Sequence, residues 1–278
     1  MISPFSFIKS GAAAAHDPAT DNLSLWIRSD SVTGTLATLS AASKASAGSS
    51  GSAAPMDHDL SYGDLVEHPS TALDGHNSVL WVGIYPRLLS TAKVHALLGI
   101  GDSAPASYTV AYVVQPLASN RYGLDGGGQV AATNPTIFGD PYGYLTHAIM
   151  DDGGTCKIGV HHQNEDAIYP DPAEGGTTPA AWPGGFGAWG LMWVSYTSGG
   201  NVRIRVNGTD LVNEAIVMHQ GPSAGDQVAV MGTLGFGGYV AEFRLVEMMI
   251  FPGQALTGAS LTTREQGYFK TRYPALGL

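Results

Sequence analysis

The stretch Trp193–Gly208, WVSYTSGGNVRIRVNG, decides the architecture. Trp-Val-Ser-Tyr-Thr alternates in hydropathy, Ser198-Gly199-Gly200-Asn201 interrupts it, and Val202, Ile204 and Val206 then alternate with Arg203 and Arg205. Period-two alternation bounded by turn residues is the mark of half-buried β-strands. Asn207-Gly208 supplies the positive-φ pair that a tight hairpin turn requires before Leu211-Val212. Full burial of each β-branched side chain is worth about 1.5–3 kcal/mol, so the apolar face sets the register. A slip of one residue would bury both arginines. Arg203 and Arg205 are therefore expected on a solvated outer surface or a subunit contact, not in a catalytic pocket.

Working outward, the same theme recurs. LSLWIRSDSV (23–32) places Leu23, Leu25 and Ile27 on one side of a strand. SVLWVGIYP (78–86), KVHALLGIG (93–101), TVAYVVQP (109–116), HAIMD (147–151) and CKIGVHH (156–162) are short apolar runs bounded by turn residues, again a strand pattern. With 37 Gly and 16 Pro to make turns, this spacing points to an all-β sandwich or barrel. A short helix is expected in LTGASLTTREQGYF, capped by Thr257 or Ser260 and ended by Pro274. Residues 1–20 read as an extended N-terminal arm and residues 21–278 as the sandwich. Within it, about 37–55 form a flexible Ser/Ala/Gly-rich excursion, and about 163–190 form a long aromatic loop.

Composition narrows the function classes. The chain has 278 residues, 44% hydrophobic and 13% charged, so the surface is built largely from small polar residues. Net charge is −10, from 13 basic against 23 acidic residues, and no basic cluster exists to neutralise phosphates. Neither nucleic acid nor membrane insertion is expected, since no window approaches the ~20 apolar residues of a span. One cysteine, Cys156, excludes an internal disulfide framework and reads as a small buried residue. The opening MISPFSFIKS lacks a basic start followed by an unbroken apolar stretch, so it is not read as a secretory signal. Phe5, Phe7 and Ile8 in this arm are candidates for docking onto another protein or a sister subunit.

Three segments, taken together, resemble the laminin-G-like, or concanavalin A-like, jelly-roll family. WVSYTSGGNVRIRVNGTDLV is similar to its Trp-led strand, Gly-rich turn and alternating strand ending in Asn-Gly. GFGGYVAEFRLVEMMIFPGQALTGASLTTREQGYFKTRYP is similar to its closing element, through Gly238, Ala241, Glu242, Leu256, Thr257, Tyr268, Lys270 and Tyr273. LSLWIRSDSVTG is similar to its opening strand, with Trp26 and Asp30 in place. The resemblance covers residues 22–36 and 189–276. It implies a two-sheet antiparallel jelly-roll sandwich with a short C-terminal helix and adjacent terminal strands.

Catalytic signals are weak. A glycosidase needs two carboxylates about 5–9.5 Å apart. Glu242 and Glu247 differ by an odd number, so a regular strand would place them on opposite faces, and Glu165-Asp166 are neighbours in a loop. Ser195 sits mid-strand without a Gly-x-Ser-x-Gly setting, and DGGGQ (125–129) reads as a hairpin turn. No enzyme and no cofactor are expected. His161-His162 would point to opposite faces of a strand, and these and the Asp57-His58-Asp59 cluster read as surface residues rather than metal ligands. Calcium serves many laminin-G-like domains, and Asp151-Asp152 or Asp171 could supply oxygens, but none has the spacing of a loop site.

The aromatic loop is the remaining candidate. Sugars are read by an aromatic face with Asp, Asn or backbone groups around their hydroxyls. Trp182, Tyr169, Asp171, Asn164 and Trp189 could form such a glycan site, with Trp182 foremost because prolines and glycines surround it. Against this, Trp189 and Phe186 could plug the core. A jelly roll with one cysteine, few charges and an apolar leader resembles bacteriophage virion proteins. The expected function is a structural virion protein (capsid decoration, head-fibre or tail) that forms homo-oligomers, binds other virion proteins and contacts host-surface glycans. The competing expectation is a secreted carbohydrate-binding module or glycan-active enzyme of the same fold.

Overall fold

The computed structural model describes residues 15–29, 38–39, 56–58, 66–67, 72–81, 87–100, 106–117, 136–139, 145–162, 172, 175–216, 228–232 and 242–278. It is a sandwich of two antiparallel sheets with a helical layer on one outer face. The first sheet contains β1 (Leu25–Arg28), β4 (Val66–Glu67), β5 (Val79–Trp81), β7 (Tyr108–Pro116), β12 (Gly190–Thr197), β13 (Asn201–Val206), β14 (Thr209–Ala215) and β16 (Phe243–Phe251). Its order is β14-β13-β12-β7-β16-β5-β4, with β1 sharing the edge of β16. The second contains β2 (Thr38–Leu39), β3 (Met56–His58), β6 (Arg87–Lys93), β8 (Thr136–Gly139), β9 (Thr146–Asp152), β10 (Thr155–His161), β11 (Ala180–Ala181) and β15 (Val228–Gly232). Its order is β11-β10-β9-β8-β15-β6-β3-β2. N- and C-terminal strands pair, β1 against β16, as the jelly-roll resemblance implied.

The opening stretch folds as its alternation dictates. Val202, Ile204 and Val206 join the inter-sheet core with Tyr108, Val110, Tyr112, Met192 and Val194. Asn207 and Gly208 adopt φ of 45° and 80° at the second turn, where glycine and asparagine carry the least steric penalty. A bulge between Ile204 and Arg205 lets Leu211 drop out of the ladder while Arg205 stays opposite Asp210. At the open edge, the Thr178 amide donates to Glu214 Oε2 at 2.8 Å, linking the segment beside β11 to β14 across the two sheets.

A second apolar cluster lies on the outer face of the first sheet. Trp26, Ala111, Val113, Leu191, Trp193, Met249 and Phe251 pack there against Leu261, Phe269, Tyr273 and Leu276 of the C-terminal segment. That segment runs as α2 (Ala259–Arg264), a π-turn (Glu265–Phe269) and one more turn (Lys270–Arg272). The expected helix is thus present, but the expected cap is not: Gly258 is its N-cap with no side-chain cap bond, and the Thr257 amide instead donates to Ser260 Oγ at 3.0 Å. The π-turn leaves the Gly267 carbonyl to accept from the His16 amide at 3.2 Å. Asp21 then pairs with both His16 and Arg264, so the described part of the arm, residues 15–20, is stitched to the helix. Phe5, Phe7 and Ile8 lie outside the described residues.

Three expectations need correction. KVHALLGIG is not one strand: β6 ends at Lys93, and Val94–Leu98 form a short helix, α1, closed by Gly99 at φ 69°. Its Val94, Leu97 and Leu98 are buried, a helical 3–4 spacing hidden inside a run that is apolar almost throughout. Leu23 precedes β1 and packs in the outer cluster, whereas Leu25 and Ile27 face the inter-sheet core. His161 and His162 are not surface residues; both are buried.

Candidate functional site

Buried polar chemistry in the inter-sheet core centres on two tyrosines of β7. The Tyr108 hydroxyl lies 3.0 Å from His147 Nε2 and 2.6 Å from His162 Nε2. Tyr112 reaches the other ring nitrogen of His147, Nδ1, at 2.7 Å. Alternation explains the placement: Ile158 and Val160 of β10 face the core, so His162 returns inward while His161 points to the opposite side of that sheet. Burial holds His147 down at about 3 and His161 at about 4, and pushes His162 well below the ordinary histidine range. All three imidazoles are neutral at physiological pH.

Neutrality fixes the sense of the chain. If Tyr112 donates to His147 Nδ1, His147 Nε2–H donates to Tyr108, and Tyr108 donates to His162 Nε2. Every hydrogen is then used except that on His162 Nδ1, which has no partner. The reverse order strands both the Tyr112 hydrogen and a His162 lone pair, so the first is favoured. Tyr108 and Tyr112 are themselves held above the ordinary phenol range, by burial first. This is a structural proton-ordered network inside the sandwich.

A second buried cluster surrounds Glu247. The register of β16 shifts between Leu245 and Glu247, so the simple parity argument for Glu242 and Glu247 does not hold along this strand. Glu247 accepts from Trp26 Nε1 at 2.5 Å, Tyr268 at 2.8 Å and Tyr273 at 2.5 Å, with Arg272 Nε at 3.4 Å. Burial raises its pKa, and the Tyr273, Arg272, Trp26 and Tyr268 contacts oppose that rise. The carboxylate ties β1, β16 and the C-terminal helix together. Ser195 is buried, and its hydroxyl bonds Thr109 Oγ1 and the Leu256 carbonyl, each at 3.1 Å.

The aromatic loop is arranged differently from the sequence expectation. Trp182 is 3% exposed, its ring pressed against Gly190 in the inter-sheet core and its Nε1–H donating to Ala188 O at 3.1 Å. An added Cβ on Gly190 would meet the ring at 2.5 Å, so glycine is what admits the indole. That ring therefore has no open face for a sugar. Trp189 is half-buried and packs against the outer cluster, and Phe186 packs against the inter-sheet one. Trp182 and Trp189 thus belong to different sides of the first sheet and do not form one platform. Tyr169, Asp171 and Asn164 lie outside the described residues, as do Asp59 and 125–129. Asp151 accepts from the Gly154 amide in the β9–β10 turn, and Asp152 pairs with Lys157. Among the described residues no group of three or more His, Cys, Asp or Glu gathers as a metal site.

The open polar surface is on the outer face of β12–β14, beyond the helix. In register across these strands stand Ser195, Arg203 and Asn213, and beside them Thr197, Asn201 and Ala215. Thr197, Asn201 and Asn213 are exposed and Arg203 is half-buried. Strand spacing and rise give this patch about 10 Å by 7 Å, room for one or two sugar rings. The two arginines differ. Arg205 donates to Glu265 at 2.9 and 3.1 Å and to Asp210 at 3.2 Å, which holds its pKa above the ordinary value. Arg203 has no ion-pair or hydrogen-bond partner among the described residues. The sequence marked the arginine-bearing face but could not tell the two apart, because Glu265 lies 60 residues from Arg205.

No protein-family model matches the chain, and no curated protein does. Solved structures do. The botulinum neurotoxin serotype D binding domain aligns at TM-score 0.53 and 10% identity, over 90% of this chain and 53% of that one. The serotype D ligand binding domain in complex with N-acetylneuraminic acid aligns at 0.52 and 8%, over 90% and 52%. The binding domain of Paraclostridial Mosquitocidal Protein 1 aligns at 0.51 and 10%, over 90% and 52%. The chain spans about half the length of these structures. At such identities the likeness establishes the fold alone; all three are named binding domains, and none is named a laminin-G or virion protein. What the chain shares with them is a two-sheet antiparallel β-sandwich.

Proposed function

We propose that the chain is a lectin-like binding sandwich that contacts glycans without transforming them, carried as a structural component of a virion surface. The observation that carries the glycan reading is the open row of amide, hydroxyl and guanidinium groups on the outer face of β12–β14. Hydroxyl-rich ligands are held by such groups, and a flat sheet face presents them at sugar spacing. Two further facts support it. Among the described residues, the buried carboxylates Glu247, Glu265 and Asp21 are engaged by donors that hold elements together. Structures sharing the fold are named binding domains, one of them in complex with a sugar acid. The virion reading rests on composition and on the apolar arm expected over residues 1–20, whose described part, 15–20, is held to the helix through His16 and the adjacent Asp21.

The test is a glycan array probed with the purified full chain. Reproducible binding to a defined set of glycans supports the reading; a folded chain that binds none of them rejects it. For the virion role, the chain should co-sediment with assembled capsids or tails, and deletion of residues 2–14 should abolish that. Unchanged co-sedimentation of the deletion variant would reject docking through the arm.

A further inference from the structure

Among the described residues, the outer-face patch contains one cation, Arg203, with no ion-pair or hydrogen-bond partner. Of the six arginines with described side chains, Arg28 stacks over Trp26, Arg205 pairs with Glu265 and Asp210, and Arg244 bonds Gln115. Arg264 pairs with Asp21, and Arg272 with Glu247. Arg203 differs from all five. It is half-buried, so part of its hydration is already lost, and it sits in a chain with 23 acidic residues, any of which could have been placed beside it. A guanidinium presents a planar fork of donors matched to a carboxylate. Asn213 stands directly opposite on β14, its exposed amide able to donate and accept, and Asn201 and Thr197 continue the face. On the β12 side the patch is bounded by the Gln254–Leu256 loop, held to Thr109 and Ser195. Further along β13 it is bounded by the Arg205–Glu265 pair.

We infer that Arg203, with Asn213, Asn201 and Thr197, forms a subsite for the carboxylate of an acidic sugar. This rests on the glycan reading above and names the ligand class and the residue that selects it. Net charge of −10 repels an acidic ligand at long range, so selection comes from the short-range fork, within about one Debye length of 8 Å at physiological salt. Neutral sugars would engage the amides and hydroxyls but leave the guanidinium unanswered.

The experiment is calorimetric titration of the full chain with 3′-sialyllactose, its methyl ester, and lactose, repeated with Arg203→Met and Arg203→Lys. A charge-assisted hydrogen-bonded contact contributes enough that its loss weakens binding by about 10- to 100-fold. The inference expects that loss for the methyl ester and for Arg203→Met, with partial retention in Arg203→Lys and melting temperatures unchanged. A glycan-binding chain whose affinities are indifferent to esterification and to Arg203→Met overturns this inference and leaves the glycan reading standing. A folded chain that binds no glycan on the array or in titration overturns both.

Discussion

Moving from pH 7.5 to pH 5.0 should weaken the fold sharply, through the histidines between and behind the sheets. His147 and His162 face Tyr108, Tyr112 and Tyr196, and His161 lies beside Thr146 on β9; no carboxylate is recorded in contact with their rings among the described residues. Folded pKa values of about 3 for His147 and about 4 for His161 lie below the unfolded value near 6.5. A depressed pKa means that the unfolded chain binds the proton first. The stabilisation is complete above about pH 6.5 and is lost as pH falls toward the folded values. At pH 5.0 each of these two histidines costs about 2 kcal/mol, so the pair costs about 4 kcal/mol. His162 adds in the same direction. Against a typical net stability of 5–15 kcal/mol this is a large fraction. The assay is urea unfolding followed by tryptophan fluorescence at half-unit pH steps between 7.5 and 5.0, a range in which ordinary carboxylates hardly titrate. Uptake of two to three protons on unfolding is expected. A change below about 1 kcal/mol across that range would refute neutral burial of these imidazoles.

Other perturbations test separate parts of the structure. Glu247→Ala removes the acceptor shared by Trp26, Tyr268, Tyr273 and Arg272 and should cost about 3–5 kcal/mol in urea unfolding, with Glu247→Gln costing less. Gly190→Ala places a methyl group against the Trp182 ring and should cost about 1–3 kcal/mol, with a changed near-ultraviolet dichroism; a silent substitution would contradict the packing. Cys156 is buried and its thiol is pushed up to about 12, by burial first and Asp151 second. It should resist a thiol-specific disulfide reagent at pH 8 in the native state and react fully in guanidinium; rapid native labelling would place it at the surface.

The sandwich was legible because alternation is a direct record of burial. Val202, Ile204 and Val206 had to share a face, and Asn207-Gly208 had to turn. Where burial is two-sided the record fades: Val94–Leu98 is apolar at almost every position, and helix and strand then read alike. Trp182 misled for a related reason. Prolines and glycines around an aromatic residue suggest an open loop, yet Gly190 makes the hole that the indole fills. The histidine pair was correctly divided between two faces, but its burial depends on Tyr108, whose hydroxyl arrives from the opposite sheet. Pairwise facts of this kind, including the different fates of Arg203 and Arg205, depend on residues far apart in the chain. The arginine-bearing face was visible; which arginine is unpaired was not.

The central claim, that this sandwich reads sugars on an open sheet face, is tested most directly by saturation-transfer difference NMR. The full chain, shown to be folded, is mixed with equal 3′-sialyllactose and lactose. Transfer to the carboxylated sugar, strongest at its acidic ring, is the predicted result. Absence of transfer to either sugar would contradict the account.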